Sequence, residues 1–311
     1  MCDIDLLRST RKRAARGRKA PRARRGGGGG GGAWRVASNR LQALSRQPQS
    51  EDYFDVHHNN AKPTMMIPHK INSPLGSNDL SLLVDNEQWE LAIQQSNNNR
   101  HLAEAWSSRP GFFEGIKTSD VLPIHIACAR RPTVEVIDAL HEASRMGLRQ
   151  KESAYQRIPL QIACRSDASP DVVRRLLEYY PEGAAVDDNL GRLAIHYRLS
   201  NGADDETIGA LLKACPGSAR AFDRRGWLPL HVAASVGASP RVIQSLVEAH
   251  PEAVLLATIK GSTPRRCLNM APHSPNKAAN TDFLLRMELE EQSKLGRKAA
   301  KPSRGSVRAV V

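Results

Sequence analysis

Three histidines recur inside one phrase of this chain. His125 stands in "DVLPIHIAC" (120–128), His196 in "GRLAIHYRL" (191–199) and His231 in "GWLPLHVAA" (226–234). Imidazole is a common metal ligand and titrates near neutrality, so zinc binding and acid–base chemistry are the first readings to test. The spacing opposes both. A further copy, "QRIPLQIAC" (156–164), carries Gln161 in the same place. Equivalent positions in packed helices lie about 10 Å apart, whereas zinc ligands sit about 2 Å from the metal. These histidines are expected to serve structure, with no metal and no cofactor.

The other reactive residue types point the same way. His57, His58 and His69 lie in a polar stretch without a Cys or spaced His partner, and are expected to be solvated. Cysteines at 2, 128, 164, 215 and 267 contain no C-x-x-C pair. Cys128 and Cys164 occupy matching places in two copies and are read as reduced, buried packing residues, which points to an intracellular setting. Cys215 precedes Pro216 with no identifiable histidine partner, so a catalytic thiol is not expected. There is no G-x-S-x-G elbow and no G-x-x-x-x-G-K-[ST] loop, and no strand precedes the run Gly26–Gly32. An enzyme is not expected.

The elements that position these residues form a repeat. The phrase begins at Leu122, Ile158, Leu193, Leu228 and, in the weaker copy "GSTPRRCLN" (261–269), at Thr263, in steps of 36, 35, 35 and 35. Thr133, Ser169, Asp204 and Ser239 form a helix-capping column, and Pro170 and Pro240 follow where a missing N–H costs nothing. Ile137, Val173, Ile208 and Ile243 form one apolar column, and Leu140, Leu176, Leu211 and Leu246 another. Pro181, Pro216 and Pro251 stop the second helix. "DNLG" (188–191) and "DRRG" (223–226) are turns into the next unit. Each unit reads as turn, short helix, tight loop, longer helix and proline stop. One such pair cannot bury its apolar face alone, but stacked neighbours can. The composition, 40% hydrophobic with 5% aromatics, suits such a core of Leu, Ile, Val and Ala.

This pattern resembles the ankyrin repeat, in a longer, proline-stopped variant. "GWLPLHVAA" with "VIQSLVEA" downstream carries the likeness, although Leu or Ile takes the usual threonine place. The resemblance covers 120–270 well and 79–119 and 271–292 loosely. It implies an all-α, ankyrin-type helical-repeat solenoid, in which the phrase histidine acts as a hydrogen-bonding brace between layers. It also implies a concave binding face made by turn tips and first helices. By register the tips are Ala154–Tyr155, Asn189–Leu190, Arg224–Arg225 and Ile259–Lys260. Arg157, Arg192 and Trp227 follow the turns, and Arg130, Arg131 and Arg165 lie late in the first helices. The candidate protein-binding set is Trp227, Arg224, Arg225, Arg192, Arg157, Tyr155, Arg165, Arg130 and Arg131, with Trp227 as anchor because Trp, Tyr and Arg dominate binding energy.

Charge divides the chain further. The formal net charge is +13, but residues 1–50 alone hold thirteen Lys/Arg against Asp3 and Asp5, and 294–311 hold six bases and no acid, which leaves 51–293 at −4. The expected organisation is a disordered basic arm, glycine run and linker (1–78), N-terminal capping helices (79–119), repeats with a degenerate last copy (120–292) and a basic disordered tail (293–311). "NDLSLLVDNEQWELAIQQS" (78–96) shows one run of helical spacing, and "RHLAEAWSS" (100–108) a second short helix. Arg11, Lys12, Arg13, Arg16, Arg18 and Lys19 read as a nuclear localisation signal, as a non-specific phosphate contact, or as low complexity without function. The start lacks the apolar core of a secretory signal, and the apolar run at 253–259 is too short to span a bilayer. The expectation is a monomeric adaptor or scaffold of the nucleus or cytoplasm, away from membranes, binding another protein that offers an acidic segment. The competing expectation is a nucleic-acid-associated protein anchored through the arm.

Overall fold

The tight loops inside the repeats show why the register holds. At Arg131, Asp167, Gly202 and Gly237 the backbone has positive φ (56°, 57°, 140° and 66°), one such residue per unit, between the two helices of each pair. A computed structural model describes residues 79–113, 117–271 and 273–300, all within one compact unit, and it is mostly helical. The arm, glycine run and linker 1–78, including Arg11 to Lys19, and the tail beyond 300 lie outside the described residues.

The helices are α1 (Leu80–Asp85), α2 (Trp89–Asn98), α3 (Pro123–Ala129), α4 (Val134–Ala143), α5 (Pro159–Arg165), α6 (Pro170–Tyr179), α7 (Ala194–Asn201), α8 (Asp205–Ala214), α9 (Pro229–Val236), α10 (Pro240–Ala249), α11 (Pro264–Cys267) and α12 (Lys277–Ala300). Ser169, Asp204 and Ser239 cap α6, α8 and α10 by accepting the N–H groups of Val172 (3.4 Å), Thr207 (2.7 Å) and Val242 (3.2 Å). Thr133 holds the same place before α4 without a side-chain cap bond. Pro181, Pro216 and Pro251 end the second helices and begin short 3-10 turns.

First helices pack in one row, α1 on α3, α3 on α5, α5 on α7, α7 on α9 and α9 on α11, and second helices α2, α4, α6, α8 and α10 in another. Helices α6 and α10 bury the same four places, Val172, Val173, Leu176 and Leu177 in α6 and Val242, Ile243, Leu246 and Val247 in α10, and α4 and α8 bury the first three of them. These join the short apolar side chains of the first helices in one core. Cys128 and Cys164 sit in that core as free thiols, and burial pushes the Cys164 thiol up to about 12. No helix of the described residues is long and apolar enough to cross a membrane.

The N-terminal region departs from expectation. The run 78–96 is two helices, with a break at Glu87 (φ 58°). Leu80 and Val84 define the buried side of α1, Ala92 and Ser96 that of α2, and Leu91 turns outward. The stretch 100–108 is a 3-10 turn (Arg100–Glu104) that leads into strand β1 (Ser107–Pro110), paired antiparallel with β2 (Thr118–Val121). At the other end α12 runs unbroken past 293. Its buried acids Glu288 and Glu291 meet Arg265 (2.8 Å) and Lys294 (2.6 Å), and the helix extends to Ala300, into the span 293–311 expected to be a disordered tail.

Candidate interaction surface

The phrase residue at the third helical position bridges layers. His125 Nδ1 accepts the Leu122 N–H (3.0 Å), which leaves Nε2 to donate to the Gln150 carbonyl (3.0 Å). His196 does the same between Leu193 (3.2 Å) and Trp227 (3.3 Å), and His231 between Leu228 (3.2 Å) and Leu256 (3.1 Å). Gln161 reproduces both contacts: Oε1 accepts from Ile158 (2.9 Å), and Nε2 donates to Val186 (3.1 Å) and Arg192 (2.8 Å). Both imidazole nitrogens are thus engaged with backbone. Burial pushes His125 and His231 down to about 4 and lowers His196 as well.

The turn tips stack through the main chain. Ser153 N–H donates to the Asp120 carbonyl (3.3 Å), Asn189 to Tyr155 (2.9 Å), Arg224 to Leu190 (2.9 Å) and Ile259 to Arg225 (3.3 Å). Inside each tip one acceptor holds the turn. Glu152 accepts the N–H groups of Ala154 (2.7 Å) and Tyr155 (2.8 Å), Asp188 those of Leu190 (2.8 Å) and Arg192 (2.9 Å), and Asp223 those of Arg225 (2.9 Å) and Trp227 (2.8 Å). In the last tip the acceptor is the Thr258 hydroxyl, which bonds Ser262 N–H (3.2 Å). The turn glycines lie close to the next tip. A Cβ on Gly191 would stand 3.3 Å from Arg224 N, and one on Gly226 3.0 Å from Ile259 N.

This ladder corrects the candidate set. Arg157 and Arg192, expected on the exposed face, are buried. Arg157 Nε donates to Asp188 of the next tip (3.3 Å) and to the Tyr197 hydroxyl (3.0 Å), and its guanidinium lies over the rings of Tyr155 (4.2 Å), Phe113 (4.8 Å) and Tyr197 (5.0 Å). Tyr197 also donates to Asp188, and burial pushes its phenol up to about 12. Arg192 pairs with Asp223 one tip further on (3.5 Å). Buried cations need such partners, and these two arginines brace neighbouring tips. Arg130 is half-buried and paired with Asp85 (2.8 Å), and Arg131 donates to the Ser166 carbonyl (2.9 Å). Arg165 is half-buried.

Four of the expected residues remain on or beside the tip row: Arg224 and Arg225 exposed, Trp227 and Tyr155 half-buried. The chain matches no family model and no curated protein. Two contributors lie outside the set expected from sequence. Phe222 and Ile259 are large apolar residues exposed at 48% and 60%. Phe222 precedes the Asp223 tip, and Ile259 stands at the tip beyond it. Composition offered a signal for both, because a turn seldom carries Phe or Ile without reason. The Trp227 ring lies 6.1 Å from the His231 ring, so the anchor rests on the brace column.

Proposed function

We propose that this chain is a non-catalytic protein-interaction module, an adaptor or scaffold whose helix pairs form an ankyrin-type solenoid. The observation that supports this most is the tip row. Its main-chain ladder fixes Phe222, Arg224 and Arg225 as an exposed apolar and cationic group beside half-buried Trp227, on a base held by buried ion pairs. Preformed, aromatic-anchored cationic surfaces suit a partner segment of acidic and apolar residues, since carboxylates pair with arginine in bidentate fashion while an apolar neighbour excludes water.

The test is affinity capture on the immobilised full chain, followed by surface plasmon resonance with the partner so found. Trp227→Ala is expected to weaken binding by about 2 kcal/mol or more. Charge reversal of Arg224 and Arg225 together is expected to slow association most at low salt. Deleting residues 1–50 is expected to leave this binding intact. Unchanged affinity in both surface variants places the interface elsewhere.

A further inference from the structure

Every layer but the last hands its ladder on. His125, Gln161, His196 and His231 each reach forward to a carbonyl of the following layer. The carbonyls of Asp120, Tyr155, Leu190 and Arg225 each receive an N–H from the following tip. The last layer repeats these features with no further tip among the described residues. Gly261 keeps the left-handed turn of Gly191 and Gly226 (φ 76°, against 72° and 74°), yet a Cβ there would meet no atom of the described residues within 4 Å. No backbone N–H of the described residues donates to the Lys260 carbonyl. Arg266 occupies the brace column, four residues into the phrase like His231, and is exposed. Helix α12 packs on the 3-10 turn Pro251–Leu255 and on α11, where Arg265 meets its Glu288.

Charge at this end is one-sided. Residues 253–281 contain Lys260, Arg265, Arg266 and Lys277 and no Asp or Glu. The tip carboxylate of earlier layers is replaced by Thr258, and no carboxylate of the described residues pairs with Lys260 or Arg266.

We infer that the exposed last tip, Ile259 to Gly261 with Arg266, is an end-on docking seat for an acidic extended segment of a partner protein. Such a segment donates a backbone N–H to the Lys260 carbonyl, as each tip does to the one before. It lies over Gly261 and places a carboxylate between Lys260 and Arg266, while an apolar side chain covers Ile259. The ladder selects peptide over nucleic acid, because a phosphodiester backbone has no N–H for the Lys260 carbonyl. It also disfavours a second copy of this chain. Two such ends repel through their cations, and the opposite end is closed by β2, whose Asp120 N–H already donates to the Ser153 hydroxyl (2.8 Å). The seat adjoins the Trp227 tip through Ile259, whose N–H donates to the Arg225 carbonyl, and its own charges are Lys260 and Arg266.

The test uses the full chain with its isoleucine methyl groups labelled with carbon-13, the Ile259 signal being assigned through Ile259→Val. The probe is a short fluorescein-labelled peptide of alternating glutamate and leucine, with a glutamine counterpart. The glutamate peptide is expected to bind, to shift the Ile259 methyl signal, and to lose at least about tenfold in affinity to K260E/R266E, which makes two attractive charges repulsive. The same charge change at R145E/K213E is expected to bind as the unaltered chain does. Binding that leaves Ile259 unmoved, as through the basic arm, overturns the inference. So does equal loss in the two charge-reversed variants. An oligothymidylate that shifts Ile259 as strongly assigns the seat to phosphate, and a concentration-dependent Ile259 shift without peptide assigns it to a second copy. Either outcome overturns the proposal.

Discussion

The two ends of the helix rows are finished by different chemistry. At the N-terminal end β2 runs along the first tip: Asp120 accepts Ser153 N–H and donates its own N–H to the Ser153 hydroxyl (2.8 Å), while Ser119 donates to buried Glu152 (2.5 Å). The Trp106 ring lies 6.0 Å from His125 there. At the C-terminal end α12 covers the 3-10 turn and α11, and leaves Gly261, Lys260 and Arg266 in the open. A repeating array exposes at each end the surface that its interior layers bury. Here one end closes that surface with backbone partners, and the other covers the helices and leaves the tip bare with positive charge beside it. A bare acceptor row invites another strand, and flanking cations decide which chain is admitted.

The sharpest way to break this contrast is to compare a brace inside the ladder with its open end. Arg157→Met leaves Asp188 buried without its cation and is expected to cost about 3–5 kcal/mol in denaturant titration, since both side chains are almost wholly enclosed. Arg266→Met at the open end is expected to stay within about 0.5 kcal/mol. Similar costs at both sites would erase the distinction.

The core sharpens it next. Leu176→Ala and Leu246→Ala, both fully buried, are expected to lose about 2–5 kcal/mol each. Leu289→Ala on the outer side of α12, exposed at 59%, is expected to change stability little by the same measurement.

The histidine column offers a pH test. Burial holds the folded imidazoles of His125 and His231 near 4 against an ordinary 6.5. The unfolded chain therefore binds more protons between those values. Their contribution is fully present above pH 6.5 and is lost as pH falls toward 4, by roughly 3 kcal/mol for each residue. Thermal melts from pH 7 to pH 4.5 are expected to show falling Tm. His125→Gln, which copies the amide that Gln161 already places in this column, is expected to flatten that slope by its share. At neutral pH His231→Ala is expected to cost about 1–3 kcal/mol through the carbonyl left unpaired, with no rise in Tm on adding zinc. A flat pH profile would mean that the braces carry charge when folded.

The smallest effect belongs to the open end itself. K260E/R266E is expected to shift stability by no more than about 0.5 kcal/mol, because neither side chain pairs with a carboxylate of the described residues. A large loss of Tm would show that these cations hold the fold.

Much of this protein was readable in one dimension. The 35-residue step located the helix pairs, because a helix start needs a cap or a proline and a helix end needs a stop, and those demands are local. Spacing argued against one metal shared by His125, His196 and His231, and the resemblance to ankyrin repeats implied a bracing role; Gln161, the exception in the column, makes the same two hydrogen bonds with an amide. Register also placed Arg157, Arg192 and Trp227 in one column, but it could not say which way their side chains turn. That depended on the residue waiting one layer on: Asp188 draws Arg157 inward and Asp223 draws Arg192, whereas Thr258, at the matching place after Trp227, has no charge to offer. The strands at 107–110 and 118–121 were equally hidden, since four-residue segments carry too little periodicity and are held by pairing with each other and with the first tip. Local propensity and period are written along the chain, whereas the burial of a charge and the closure of an end are set by neighbours about 35 residues away, which only the packed layers bring into contact.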